Sequence, residues 1–414
     1  MAAPKLRFKE FNDNWLKVDI QSLVDEKIID KPMDGNHGEI HPTSADYVED
    51  GIPFVMATDV IDGKVYLDKS KKIKKSQADG LRKGFSLEGD ILLTHKATIG
   101  NVAKVPELKT PYIMLTPQVT YYRVLNKDKL NQDFIKSTFE APVFQNALLA
   151  LCTGATRLYI GISEQRKLPF SYPSKKEQTK IASFLSAVDE KISQLTQKHE
   201  LLSQYKQGMM QKLFSQQLRF KADDGSEFGE WENTVIGDIA DIVGGGTPST
   251  NNEAYWSGDV VWLTPSEINQ KFIGESKRTI SELGVQKSSA KKLPIGTILF
   301  TSRATIGEVA IAIAEVTTNQ GFQSFISNEK TFNEFLYYWI VNNKKSFIER
   351  ASGSTFLEIS KSKIQPMEIS LPCLEEQTKI ANFLSAIDQK IEVVAQQIEQ
   401  AKKWKKGLLQ QMFV

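Results

Sequence analysis

One stretch of this chain is written twice. Residues Glu177 to Ile192 read EQTKIASFLSAVDEKI, and Glu376 to Ile391 read EQTKIANFLSAIDQKI. Thirteen of the sixteen positions are identical, at an offset of 199 residues. The register continues further on, where YKQGMMQKLF (Tyr205 to Phe214) aligns with WKKGLLQQMF (Trp404 to Phe413). A duplication this close confines the chain to folds built from two equivalent halves.

Both copies read as long helices. Apolar side chains recur at steps of four and three: Ile181, Leu185, Val188, Ile192, Leu195, Leu202, Met209 and Leu213 in the first, Ile380, Leu384, Ile387, Ile391, Val394, Ile398, Leu408 and Met412 in the second. His199, Lys206 and Lys405 interrupt the seam, and neither copy contains proline. That pattern predicts a coiled-coil pair, and about 38 residues at about 1.5 Å each make rods of roughly 57 Å. Ser174 followed by Glu177 predicts a capping box for the first helix, whereas Cys373 stands where the second would need its serine. The copies also share polar residues: Glu177/Glu376, Gln178/Gln377, Thr179/Thr378, Lys180/Lys379, Asp189/Asp388 and Lys191/Lys390. Shared outer residues predict that each helix offers the same face to the same kind of partner.

The repeat extends beyond the helices. LRFK at Leu6 to Lys9 recurs at Leu218 to Lys221, each time followed by a tryptophan, Trp15 or Trp231. ILLTHKATIGNVA (Ile91 to Ala103) matches ILFTSRATIGEVA (Ile298 to Ala310), and GATRLYI (Gly154 to Ile160) matches GSTFLEI (Gly353 to Ile359). One globe-and-helix unit therefore occurs twice. The segment that follows the first helix resembles the start of the chain, so the sequence reads as a ring cut open at Val414/Met1, and helices lying side by side in it must run antiparallel.

The fold expected is α+β, with two pseudo-symmetric mixed α/β domains joined by two long antiparallel coiled-coil helices. The expected boundaries are 1–173 for the first domain, 174–215 for the first helix, 216–372 for the second domain and 373–414 for the second helix. Strands are predicted over Ile52 to Val60, Gly89 to His95, Gln118 to Leu125, Asp259 to Thr264, Gly296 to Ser302 and Glu308 to Glu315. Helices are predicted over Asp133 to Leu151 and Asn333 to Ala351. The globes agree mainly at framework positions while the helices are near copies, which predicts homologous heads tuned to different targets.

Composition narrows the function classes. A formal net charge of +2 gives no global sign of nucleic-acid binding, so any such role needs local evidence. Two cysteines, Cys152 and Cys373, encode no disulfide framework. The start of the chain has no apolar signal region and no apolar run is long enough to span a bilayer, so a cytoplasmic protein is expected. The glycine-rich Gly244-Gly245-Gly246-Thr247-Pro248 lacks the lysine of a phosphate-binding loop. No adenine-methyltransferase tetrapeptide and no nucleophile signature is present. His37 and His41 have the spacing of a metal pair but only two further histidines exist in the chain, so no metal site is expected.

The duplicated globe and helix, the ATIG strands, the GSTFLEIS loop and the helix start around Pro372 to Ile391 together resemble the specificity subunit of type I restriction-modification enzymes. The resemblance covers essentially the whole chain. It implies a recognition subunit without its own catalytic residues. Each globe would read one half of a bipartite, asymmetric double-stranded DNA target, and the helices would space the globes and dock two methyltransferase subunits, with restriction subunits joining the full complex. S-adenosylmethionine, ATP and magnesium would then belong to those partners. Globes near opposite ends of such rods could meet half-sites about one DNA turn, roughly 34 Å, apart.

With that resemblance in view, the lysine cluster KSKKIKK, comprising Lys69, Lys71, Lys72, Lys74 and Lys75, is a candidate for phosphate contact. Its plainer reading is a solvated loop. Lys96 and Arg303 are equivalent residues beside the two ATIG turns and are further candidates, with Arg303 suited to bidentate contact. Arg157, Lys287, Lys291 and Lys292 complete the DNA-binding set. The partner-binding set on the helices is Glu177, Gln178, Lys180, Asp189 and Lys191, with Glu376, Gln377, Lys379, Asp388 and Lys390. A free-standing DNA-binding regulator and a scaffold acting through the coil alone remain alternative readings.

Overall fold

In the computed structural model, residues 3–37, 41–154, 158–303, 305–353 and 357–414 are described. The four expected segments group into two compact units, because each long helix is shared. One unit comprises Met1–Thr196 with Gln396–Val414, the other Gln197–Ala395. The long helices are α1 (Lys175–Phe214) and α2 (Leu374–Met412). Each starts in one unit and ends in the other.

The first unit holds a four-stranded antiparallel sheet in the order Thr98–Lys104, Ile91–Lys96, Val119–Tyr122, Met33–Asp34. A mixed five-stranded sheet runs Tyr47–Val48, Lys71–Ile73, Ile52–Val55, Ile113–Leu115, Phe85–Ser86, with Ile113–Leu115 parallel to Ile52–Val55. The second unit repeats this plan. Its five-stranded sheet has Ile298–Phe300 and Val309–Ala312 as the counterpart hairpin, and Trp256–Leu263 runs parallel to Thr317–Thr318. In each ATIG turn the glycine has positive φ, +89° at Gly100 and +92° at Gly307, a conformation that any other residue would strain.

Each globe is closed by a two-stranded clasp next to a long helix. Leu16–Asp19 pairs with Pro169–Tyr172, and Glu232–Val235 pairs with Glu368–Leu371. The expected strands are all present, five of them shorter, while the one expected over Asp259 to Thr264 begins earlier, at Trp256, and ends at Leu263. Both expected globe helices are broken in two: at Ala141, where Pro142 opens the next helix, and at Asn343. Proline has no N–H to continue the first helix and fits only in the opening turn of the next. The lysine cluster is not a plain loop: Lys71–Ile73 is a strand and Lys75–Asp79 a short helix.

The main core of the first unit packs Trp15, Phe134, Phe139 and Phe170 against Ile181, Leu185 and Val188 of α1 and against Leu408, Leu409, Met412 and Phe413 at the end of the chain. The second unit matches it with Trp231, Phe335 and Phe347 against Met210, Leu213, Ile380, Leu384 and Ile387. Inside each unit the start of one long helix lies antiparallel to the end of the other. Asp189 meets Lys405 in the first unit, and Asp388 meets Lys206 in the second. The LRFK repeat is held in the same way in both units. Leu218 N–H donates to Lys212 O at 3.1 Å along the continuous chain, and Leu6 N–H donates to Gln411 O at 2.9 Å in the equivalent place, with no peptide link between them. Among the described residues no helix is long and apolar enough to cross a membrane.

Candidate nucleic-acid interface and helix clamps

The repeated polar residues of the helix starts face inward. Glu177 is buried, and its carboxylate accepts hydrogen bonds from Arg7 Nε and Nη2, both at 2.7 Å, and from Trp15 Nε1 at 3.3 Å. Glu376 is equally buried and accepts from Arg219 Nε at 3.1 Å, Arg219 Nη2 at 2.7 Å and Trp231 Nε1 at 3.1 Å. The hydrogen bond to each carboxylate holds its guanidinium above the ordinary arginine range. The LRFK and tryptophan repeats and the glutamate repeat are thus one interaction written three times in each half. The glutamate expected to complete a capping box instead closes the globe onto its helix.

The neighbouring glutamines form a second clamp. Gln178 Oε1 accepts from Asn131 N–H at 3.0 Å, and its amide donates to Lys129 O at 3.1 Å and Pro173 O at 2.9 Å. Gln377 makes the same three bonds, from Phe332 N–H at 2.8 Å and to Lys330 O at 3.0 Å and Pro372 O at 2.8 Å. Both side chains are fully buried. Glu177, Gln178, Glu376 and Gln377 therefore do not present the outward partner face expected of them. They recur because each half must satisfy the same backbone groups, and a buried polar group left unpaired costs about 1–3 kcal/mol.

Most other shared positions are also engaged within their own unit. Lys180 pairs with Glu10, and Lys379 donates to Lys221 O at 2.7 Å and to Asp223 at 2.6 Å. Thr179 and Thr378 return their hydroxyls to Lys175 O and Leu374 O. Asp189 lies between Lys136 at 2.8 Å and Lys405 at 2.7 Å. Burial alone would raise its carboxyl, but those two ammoniums outweigh it and hold Asp189 below the usual carboxylate range. Asp388 bonds Lys206 at 2.5 Å and the Tyr338 hydroxyl at 2.5 Å. Burial and that carboxylate push the Tyr338 hydroxyl up. Lys191 and Lys390 stay exposed, with no ion pair among the described residues.

The candidate DNA contacts sit on the globes. Lys69, Lys71, Lys74 and Lys75 are exposed and Lys72 half-buried. Lys69 lies over the Tyr66 ring at 5.2 Å, Lys72 donates to Glu49 O at 3.0 Å, and Lys75 pairs with Asp79 at 2.6 Å. Lys96 ends its strand exposed, bridged to Tyr159, beside a cavity lined by His37, His41, Tyr47 and Gln118. His37 bonds Asp34 at 2.8 Å, and His41 packs on Phe54. Arg303 makes the equivalent bridge to Glu358, but its Nη2 and Nε donate to that carboxylate at 2.7 and 3.1 Å. Lys292 is held by Glu282 and Glu315, while Lys287 and Lys291 are exposed. Arg157 lies outside the described residues.

Sequence reasoning singled out the repeats of Arg7, Trp15, Arg219 and Trp231 without giving them a role. Their spacing relative to the glutamates was the available signal. It passed over Arg278, whose guanidinium carbon stacks 3.9 Å from the Trp256 ring centroid. A lone arginine in ESKRTI carries no pattern that marks such a stack.

A family model for the type I restriction modification DNA specificity domain matches residues 34–204 and again 229–403. The type I restriction enzyme MjaIX specificity subunit of Methanocaldococcus jannaschii is 39% identical over 207 residues, covering 49% of this chain and 48% of that protein. The match thus spans about half the length of that relative. The putative MjaX specificity subunit of the same organism is 27% identical, covering 87% of this chain and 85% of its own. The crystal structure of a type I restriction-modification S subunit from M. genitalium has a TM-score of 0.59 at 17% identity, covering 100% of this chain and 99% of that one, and so shares the fold. Two matched copies of the domain, one in each half of a duplicated framework, make this chain a member of the type I restriction-modification specificity-domain family.

Proposed function

We propose that this chain is the sequence-recognition subunit of a type I restriction-modification complex. Each globe reads one half of a bipartite, asymmetric target in double-stranded DNA. The long helices set the gap between the half-sites and dock two methyltransferase subunits, and restriction subunits complete the assembly. The chain supplies recognition, and methyl transfer and ATP-driven cleavage, with S-adenosylmethionine, ATP and magnesium, belong to the partners.

The observation that carries this reading is the contrast between identical clamps and unlike surfaces. The Arg7–Glu177–Trp15 and Arg219–Glu376–Trp231 groups use the same donors on the same carboxylate. Lys96 and Arg303, at equivalent turns, differ in charge carrier and in partner. A frame kept constant under two different polar surfaces suits a reader of two different half-sites. Lys69, Lys71, Lys72, Lys74, Lys75, Lys96, Arg157, Lys287, Lys291 and Lys292 would contact phosphates. Surface ion pairs contribute about 0–1 kcal/mol, so Lys75, Lys292 and Arg303 can exchange theirs for DNA. On the helices, exposed Lys191 and Lys390 are the partner contacts that internal bonding leaves available.

Co-expression with the cognate methyltransferase subunit tests the reading. The expected product is a complex of one copy of this chain with two of the partner, which binds its target specifically. Tight, sequence-specific binding by the chain without any partner would instead make it a free-standing regulator.

A further inference from the structure

Two tryptophans stand at the ends of the strand Trp256–Leu263 in the second unit, their rings edge to face with centroids 5.1 Å apart. Their indole N–H groups are both taken by the glycine-rich loop: Trp256 Nε1 donates to Ser249 O at 3.1 Å and Trp262 Nε1 to Gly246 O at 2.9 Å. That loop was noted in the sequence for a phosphate cradle it cannot form; here it holds two rings in place. Arg278, on the neighbouring strand Arg278–Ile280, lays its guanidinium 3.9 Å from the Trp256 centroid and 5.8 Å from that of Trp262. The residue is exposed, and among the described residues its guanidinium makes no ion pair or hydrogen bond.

An arginine stacked on an aromatic face keeps its five N–H donors in one fixed plane, directed outward from the stack. Fixed direction is what base reading requires, whereas a phosphate can be held by a flexible ammonium. The other candidate cations of this unit lack one property or the other. Arg303 is closed on Glu358, Lys292 on two glutamates, and Lys287 and Lys291 are exposed ammoniums. Lys71 occupies the position equivalent to Arg278, 207 residues earlier, and both strands are anchored two residues on by a fully buried isoleucine, Ile73 or Ile280. The same strand position thus carries an ammonium in one unit and a stacked guanidinium in the other.

We infer that Arg278, stacked on Trp256, reads a guanine edge in the half-site bound by the second unit. The assignment rests on the DNA-recognition function proposed above and adds the base and the residue that reads it. A guanidinium donates two parallel hydrogen bonds to guanine O6 and N7, the commonest specific contact in the major groove. Lys71 at the equivalent place would hold a phosphate.

The test uses the assembled complex with its methyltransferase subunits and a duplex carrying its target. Each guanine of the second half-site is replaced in turn by 7-deazaguanine, which removes the N7 acceptor. One replacement should weaken the wild-type complex about tenfold and leave the Arg278→Ala complex, already weakened, unaffected. Replacements in the first half-site should weaken both complexes alike. Arg278→Lys should keep the charge and lose the response to that one guanine, and it serves in place of the alanine variant if the latter does not assemble. The inference is overturned if Arg278→Ala responds to every replacement as wild type does. It is also overturned if Arg278→Lys restores full affinity and discrimination, the mark of a phosphate contact, or if the half-site holds no guanine on either strand. Failure of the parent reading looks different, because the wild-type complex would then prefer no bipartite target at all.

Discussion

Gln178 and Gln377 bind the same three backbone groups in the two halves, whereas Lys96 and Arg303, equally equivalent in sequence, have different surroundings. Lys96 lies beside Tyr159 with no ion pair among the described residues, and Arg303 is closed on Glu358. The duplicated polar residues that hold the chain together are alike, and Lys96 and Arg303, which face solvent, are not; Lys191 and Lys390 are alike although exposed. Identity at the buried positions therefore marks internal clamps, and the surfaces that set target choice are sought where identity stops.

The strongest way to break that comparison is to remove the buried carboxylates. Glu177→Ala strands Arg7 and Glu376→Ala strands Arg219, and each should cost about 3–5 kcal/mol, the loss expected when one partner of a buried ion pair is removed. Denaturant unfolding should show similar losses for the two variants. A loss under about 1 kcal/mol in either would mean that the two clamps are not equivalent. Next come Gln178→Ala and Gln377→Ala, which should each destabilise by about 1–3 kcal/mol through unpaired backbone groups, again to a similar extent in both halves.

The frame was legible in the sequence to an unusual degree because it was written twice. Periodicity placed both long helices, and the matched offsets showed that each half repeats the same framework. Four polar positions, Glu177, Gln178, Glu376 and Gln377, face inward against expectation for a physical reason: repetition shows that a residue is constrained but not on which side of the helix the constraint lies. Glu177 and Gln178 fall on the buried face only because Arg7, Trp15 and Asn131, distant in sequence, come to meet them. Boundaries missed for local reasons, such as Pro142 splitting one expected helix. Arg278 was invisible because its neighbour Trp256 comes from another strand.

A smaller effect makes the Asp189 seam pair sensitive to pH. The Asp189 carboxyl is held below its ordinary value by Lys136 and Lys405. Its stabilising contribution is complete above the unfolded carboxylate range of about 4 and is lost as pH falls through the depressed folded value. Lys136, raised chiefly by Glu140 and Asp189 against its burial, contributes below the unfolded lysine range and is lost only as alkaline pH passes its raised value. Acid titration of unfolding should therefore show a loss that Asp189→Asn removes. An unchanged acid limb in that variant would mean that the lysine pair does not act on Asp189.

The smallest stability effect is expected for Glu358→Ala. Its pair with Arg303 is partly exposed and should contribute under about 1 kcal/mol to folding. Freeing the guanidinium should nonetheless strengthen DNA binding by the assembled complex, measured as affinity at fixed salt. Unchanged or weaker binding would place Arg303 outside the DNA interface.

The central claim, one constant frame carrying two unlike readers, is tested most directly by mapping methylated positions in DNA from cells that express this chain with its methyltransferase partner. The account predicts methylation at a bipartite motif whose halves differ and whose gap is fixed, with Arg278→Ala altering preference in one half alone. A palindromic motif, a motif without a gap, or methylation that does not depend on this chain would contradict it.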